Sequence, residues 1–132
     1  LITIIIDPSD PLFVTVWKNL SDDIARHVFA VNWVLVNYLN PEGPNLAGLV
    51  LQSRNPVTVL SNIANDHNGF MKSHSGASVA AMNPGVVSAL KKNWDFVNAF
   101  KLSSFPVTIL SKHHKYYVFH GFIIMGRSRQ AC

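Results

Sequence analysis

The stretch Ile2-Thr3-Ile4-Ile5-Ile6-Asp7-Pro8-Ser9-Asp10-Pro11-Leu12-Phe13, followed by Val16-Trp17, decides how this chain is read. Residues 2–6 are β-branched without a break, as in a strand covered on both faces, and Asp7-Pro8-Ser9 is a turn that stops it. From Asp10 onward Leu12, Phe13, Val16, Trp17, Leu20 and Ile24 recur at helical spacing. Asp10 stands as the N-cap, and Arg26 and His27 lie near the negative end of the helix dipole. Residues 28–36 are again almost all apolar and predict a second buried strand, parallel to the first because a helix separates them. The chain therefore opens with a βαβ unit.

Working outward, Asp or Asn precedes Pro at Asp7-Pro8, Asp10-Pro11, Asn40-Pro41, Asn55-Pro56 and Asn83-Pro84. Such pairs start helices or turns: the side chain caps free N–H groups, and proline has no N–H to leave unsatisfied. Residues 41–82 read as a mostly helical insertion, with short helices over 46–53 and 57–65 and then a loop of Gly, Ser and His. Asn83-Pro84 opens a long helix that ends near Lys101, with Val86, Val87, Leu90, Trp94 and Val97 on one face and Lys91, Lys92 and Asp95 turned outward. Residues 106–110 and 115–120 are two strands joined by the polar turn Ser111-Lys112-His113-His114, hence antiparallel neighbours. The expected architecture is one α/β domain over 1–132: β-α-β, helical insertion, α-β-β, around a mixed sheet.

Composition narrows the function classes. With 132 residues, 48% hydrophobic and only 14% charged, the chain buries a sizeable core and is not disordered. Its longest apolar runs have strand length, well short of the ~20 residues that span a bilayer. Eleven Lys and Arg against seven Asp and Glu give a net charge of +4, but they are scattered and form no stripe, so nucleic acid is not the implied partner. The single cysteine, Cys132, is the last residue, which excludes an internal disulfide and a cysteine-based zinc site. Neither an initiator Met nor a basic leader precedes Leu1, as expected of a piece of a longer chain.

The order of elements, with several local motifs, resembles the catalytic domain of the DsbC and DsbG disulfide isomerases, a thioredoxin-like fold. Asp7-Pro8 leading into Asp10-Pro11-Leu12-Phe13 and Val16-Trp17 is similar to the family stretch in which Asp-Pro precedes Cys-Pro-x-Cys and an aromatic pair. Val34-Leu35-Val36 running through Asn40-Pro41-Glu42-Gly43-Pro44 resembles the second strand and the start of the helical insertion. Ser103-Ser104-Phe105-Pro106-Val107-Thr108 resembles the loop that carries the cis-proline, and His120-Gly121 the end of the hairpin. The resemblance covers residues 2–121. It breaks at the two cysteine positions, which are Asp10 and Phe13 here, and a carboxylate and a phenyl ring cannot supply a thiolate or resolve a mixed disulfide.

The resemblance implies a domain that has lost its redox chemistry and kept the scaffold. Its partner would be a protein or extended polypeptide, held between the start of the first helix and Phe105-Pro106, in the periplasm or another extracytoplasmic space. Chaperone-like work, or a part in a secretion or conjugation assembly, fits such a relative, as does a homo-oligomer formed through an N-terminal domain not contained here. No catalytic residue and no cofactor is expected. The alternatives are an isomerase or reductase working through Cys132 or a partner's thiol, and a non-thiol enzyme using Asp10.

Each singled-out residue also has a plain structural reading. Capping alone accounts for Asp10, and core packing for Phe13, which if exposed would join Leu12 and Phe105 in an apolar patch. Pro106 is cis if the resemblance holds, or a trans proline at the first position of a strand. His113, His114 and His120, like His67 and His74, read as turn, loop and strand-end residues rather than metal ligands. Trp17, Trp33 and Trp94 read as core.

Overall fold

The computed structural model describes residues 1–26, 30–39, 46–73, 83–102 and 104–120. These form a mixed α/β structure of four strands and five helices. In chain order they are β1 (Ile2–Ile6), α1 (Leu12–Ala25), β2 (Val31–Leu35), α2 (Ala47–Leu51), α3 (Pro56–Asn65), α4 (His67–Ser73), α5 (Pro84–Ala99), β3 (Val107–Lys112) and β4 (Lys115–His120). The sheet runs β2-β1-β3-β4. β1 pairs parallel with β2, Ile2 opposite Val31, and antiparallel with β3, Ile2 opposite Leu110.

Alternation along β1 divides the core. Ile2, Ile4 and Ile6 point to one face with Phe13, Val16 and Leu20 of α1 and Leu60 and Ile63 of α3. Ile5 points to the other with Val107 and with Val97 of α5. The continuous apolar run at the start of the chain is therefore used on both sides. α5 lies against the edge strand, where Asn93 donates to the Leu35 carbonyl at 2.8 Å.

Several boundaries differ from expectation. The second strand is shorter than 28–36 and is half-buried with Asn32 exposed, since among the described residues only β1 flanks it and it forms an edge; residues 28 and 29 lie outside the described residues. Val87, expected on the inward face of its helix, is exposed, as is Leu12 at the start of α1. The helix expected to end near Lys101 does so: Ala99 is its last residue, and Lys101 takes a left-handed φ of 53°. α2 and α3 match the two expected insertion helices, but the loop expected after them begins instead as α4, whose first turn Asp66 caps through the Gly69 N–H. At Asn83 the expected cap is present, its side chain accepting from the Val86 N–H at 2.9 Å. Asn40-Pro41, His74 and the rest of that loop, Ser103, Gly121 and Cys132 lie outside the described residues.

The hairpin is tighter than a four-residue turn. Ser111 and Lys112 belong to β3, and the loop is only His113-His114, with φ of 53° and 65°. Two successive left-handed residues match the strands' twist, and histidine tolerates that region better than most residues do.

Candidate functional site

The C-terminal ends of the parallel strands β1 and β2 meet the N-terminus of α1, and the chain there is held by buried polar side chains. Asp7, fully buried, accepts from the Ser9 N–H at 2.8 Å and from the Leu39 N–H at 3.1 Å, tying the turn after β1 to the segment after β2. Ser9 Oγ accepts from the Leu46 N–H at 3.0 Å and so joins the start of α2 to the same turn. His67 bonds through Nε2 to the Pro8 carbonyl at 3.1 Å; a carbonyl only accepts, so that nitrogen carries the proton. Burial pushes the Asp7 carboxyl above its ordinary range, the N–H bonds of Ser9 and Leu39 oppose the shift, and neighbouring Asp10 adds to it.

Asp10 does what an N-cap does and more. Its Oδ1 accepts from the Leu12 N–H at 3.0 Å, and its Oδ2 accepts the Tyr38 hydroxyl at 2.6 Å. Burial, and then the bond to Asp10, push the Tyr38 phenol upward, so Tyr38 is a fixed hydrogen-bond donor rather than a base. The Tyr38 ring stacks on Phe105, centroids 4.6 Å apart and planes 11° from parallel, and Trp94 meets Phe105 edge-on at 6.2 Å. Trp94 donates to Asn37 Oδ1 at 2.6 Å. Among the described residues no buried side-chain N or O lacks a partner.

Tyr38 therefore bridges two places that are far apart in sequence: Asp10-Pro11-Leu12-Phe13 at the start of α1, and the Phe105-Pro106 loop. The peptide bond between Phe105 and Pro106 is cis, and Ser104 before it has a φ of 60°. Phe13 packs in the core, as its helical spacing predicts, so the apolar patch that an exposed Phe13 would have made with Leu12 and Phe105 does not form. Phe13 is 0% exposed and packs on the opposite side, against Trp17 at 5.9 Å and Trp33 at 5.8 Å, because its position in α1 turns it inward. Phe105 is half-buried beneath Tyr38, while Leu12 at the start of α1 and Leu39 beside Tyr38 are exposed. Pro106 itself is buried.

Sequence reasoning missed Asp7, Tyr38 and Asn37. Asp7 carried a signal, since Asp-Pro-Ser invites a side-chain turn to the N–H two residues on; Tyr38 and Asn37 carried none. The tryptophans are partly buried, Trp17 stacked on Trp33 at 5.7 Å. His113 and His114 form the exposed hairpin loop, and no group of three or more His, Cys, Asp and Glu comes together as a metal site among the described residues. Nor is any helix there long and apolar enough to cross a membrane. No protein-family model matches the chain, and no curated protein matches its sequence.

Proposed function

We propose that the chain is a non-redox, thioredoxin-like module of the DsbC and DsbG type that binds an extended or unfolded polypeptide beside the Phe105-Pro106 loop, in an extracytoplasmic compartment. The observation that carries the reading is the pairing across Tyr38. The cis Phe105-Pro106 bond and the start of α1 are brought to one place, and where the resemblance calls for two cysteines the chain has a hydrogen-bonded carboxylate, Asp10, and a core phenyl ring, Phe13. Support also comes from the element order, which runs β-α-β, helices, α-β-β as the resemblance requires. The loop supplies a recognition surface: Tyr38 and Phe105 offer aromatic area, and an extended peptide gains main-chain hydrogen bonds from the backbone beside a cis-proline.

Two assays test this. Reduction of a disulfide-bonded protein by dithiothreitol is expected to run at the same rate with or without the chain, and with its Cys132→Ser variant. Acceleration that disappears with Cys132 would instead make the thiol alternative correct. Binding of an unfolded, cysteine-free polypeptide, followed by fluorescence anisotropy, is expected to weaken at least tenfold in Phe105→Asp, which places a charge in the stacked pair. Equal binding by both forms would remove the loop from the site.

A further inference from the structure

Among the described residues β4 is the outer strand of the sheet, and all six of its residues are exposed. Tyr116 is 72% exposed, Tyr117 47%, Val118 45% and Phe119 41%. Edge strands commonly block further pairing with proline, a bulge or an inward-pointing charge. β4 has no proline or glycine, its register with β3 runs unbroken from Val107 opposite His120 to Lys112 opposite Lys115, and its one Lys stands at the first position.

The hairpin loop sets which backbone groups face outward. Residues flanking a two-residue loop form a hydrogen-bonded pair, here Lys112 and Lys115. By alternation Tyr117 and Phe119 bond back to β3, while Tyr116 and Val118 direct their N–H and C=O away from it. A strand laid on this edge must bond through Val118. Two antiparallel copies of β4 satisfy that condition if Val118 lies on the two-fold axis. Residues directly opposite then share a face, Val118 exchanges both backbone bonds with Val118 of the second copy, and Tyr117 falls opposite Phe119 of the second copy in a close, non-hydrogen-bonded aromatic pair. The two Lys115 side chains lie at opposite ends of the seam, so no like charges oppose. On the other face Tyr116 and Val118 line an apolar groove of about 600 Å³ with Thr3, Val34, Phe100 and Ile109, and the same pairing sets the two grooves edge to edge.

We propose that β4 is a self-pairing edge at which two copies of this chain join into one continuous sheet, with Val118 on the two-fold axis. The contact uses three aromatic residues and one valine per copy, all partly buried already within their own chain, and so falls below the ~800 Å² per partner of a standard interface. That places it among small, reversible interfaces, with dissociation constants in the micromolar to millimolar range. It does not depend on the redox or peptide-binding reading.

Sedimentation velocity of the chain from about 10 µM to about 1 mM should show the weight-average mass rising toward twice the monomer. Val118→Pro removes an outward N–H and spares the bonds to β3, so it should stay monomeric with an unchanged circular dichroism spectrum. Tyr117→Lys leaves the backbone intact and charges the seam, and should weaken association at least tenfold even if the proline disturbs the hairpin. In a Cys132→Ser background, a short bifunctional thiol reagent should link chains carrying Val118→Cys and not chains carrying Arg54→Cys. A wild-type chain that remains monomeric to 1 mM overturns the proposal. So does association unchanged in Tyr117→Lys, or equal cross-linking at positions 118 and 54.

Discussion

The two ends of the sheet are built on opposite principles. Beyond β1 and β2, polar side chains are buried and their atoms are used: Asp7 holds two N–H groups, Asp10 an N–H and a hydroxyl, and Ser9 the start of α2. At β4 the reverse holds, with aromatic side chains in the open on both faces and a backbone edge facing outward. A buried network withstands little change, because each lost partner leaves a desolvated group behind. An exposed strand tolerates change in the isolated chain and reveals its role only when a second surface meets it. Stability measurements should therefore map the first region, and association measurements the second.

The sharpest contrast pairs two phenylalanines. Phe13→Ala, which empties the centre of the α1 face, should cost about 3–5 kcal/mol in urea unfolding, whereas Phe119→Ala on β4 should change stability by no more than about 0.5 kcal/mol. Similar losses at both positions would mean that β4 is covered in solution. Asp7→Ala should follow, costing about 2–3 kcal/mol because the Ser9 and Leu39 N–H groups lose their acceptors. The pH dependence has a definite sign. A carboxyl raised above 3.8 favours its protonated form in the folded state, so its contribution is complete below pH 3.8 and is lost as pH rises through the folded value. Urea midpoints across that window should fall with pH more steeply in the wild type than in Asp7→Asn.

Tyr38→Phe keeps the ring stacked on Phe105 and removes only the hydroxyl given to Asp10, and should cost about 1–2 kcal/mol. A far larger loss, read by the same unfolding curves, would mean that this one bond orders the whole loop. The smallest effect belongs to the hairpin. Replacing His113-His114 by Asn-Gly suits two left-handed residues better and should stabilise by about 0.5 kcal/mol, seen as a small rise in melting temperature.

Much of the framework was legible because the signals were local. The β-branched run of residues 2–6, the apolar spacing of α1 and α5, and the proline-preceding Asp10, Asn55 and Asn83 each act within a few positions, and each element they predict is present among the described residues. The boundaries that moved did so where neighbours, not the chain, set the outcome: β2 is short and half-buried because it is an edge, and α4 forms where glycine and histidine suggested a loop. The candidate site was legible as positions but not as contacts. Asp10 as a cap could be read from type and place, Phe13 as core from helix spacing, and the cis-proline from resemblance, but the stack of Tyr38 on Phe105 could not, because nothing local links the two residues.

By itself, then, the sequence determined the order and kind of the elements, the cap at Asp10, the hairpin and the absence of a cysteine pair in the turn after β1, since all of these depend on residue type and short spacing. Only the tertiary structure decided that Tyr38 joins Asp10 to Phe105, that Asp7 is buried and satisfied, and that β4 lies at the edge with its aromatic residues exposed. These depend on which segments the sheet brings side by side, and partners separated by tens of residues leave no trace in local pattern. A strand of Tyr, Val and Phe reads the same whether it lies in the core or at the rim, and only its neighbours distinguish the two.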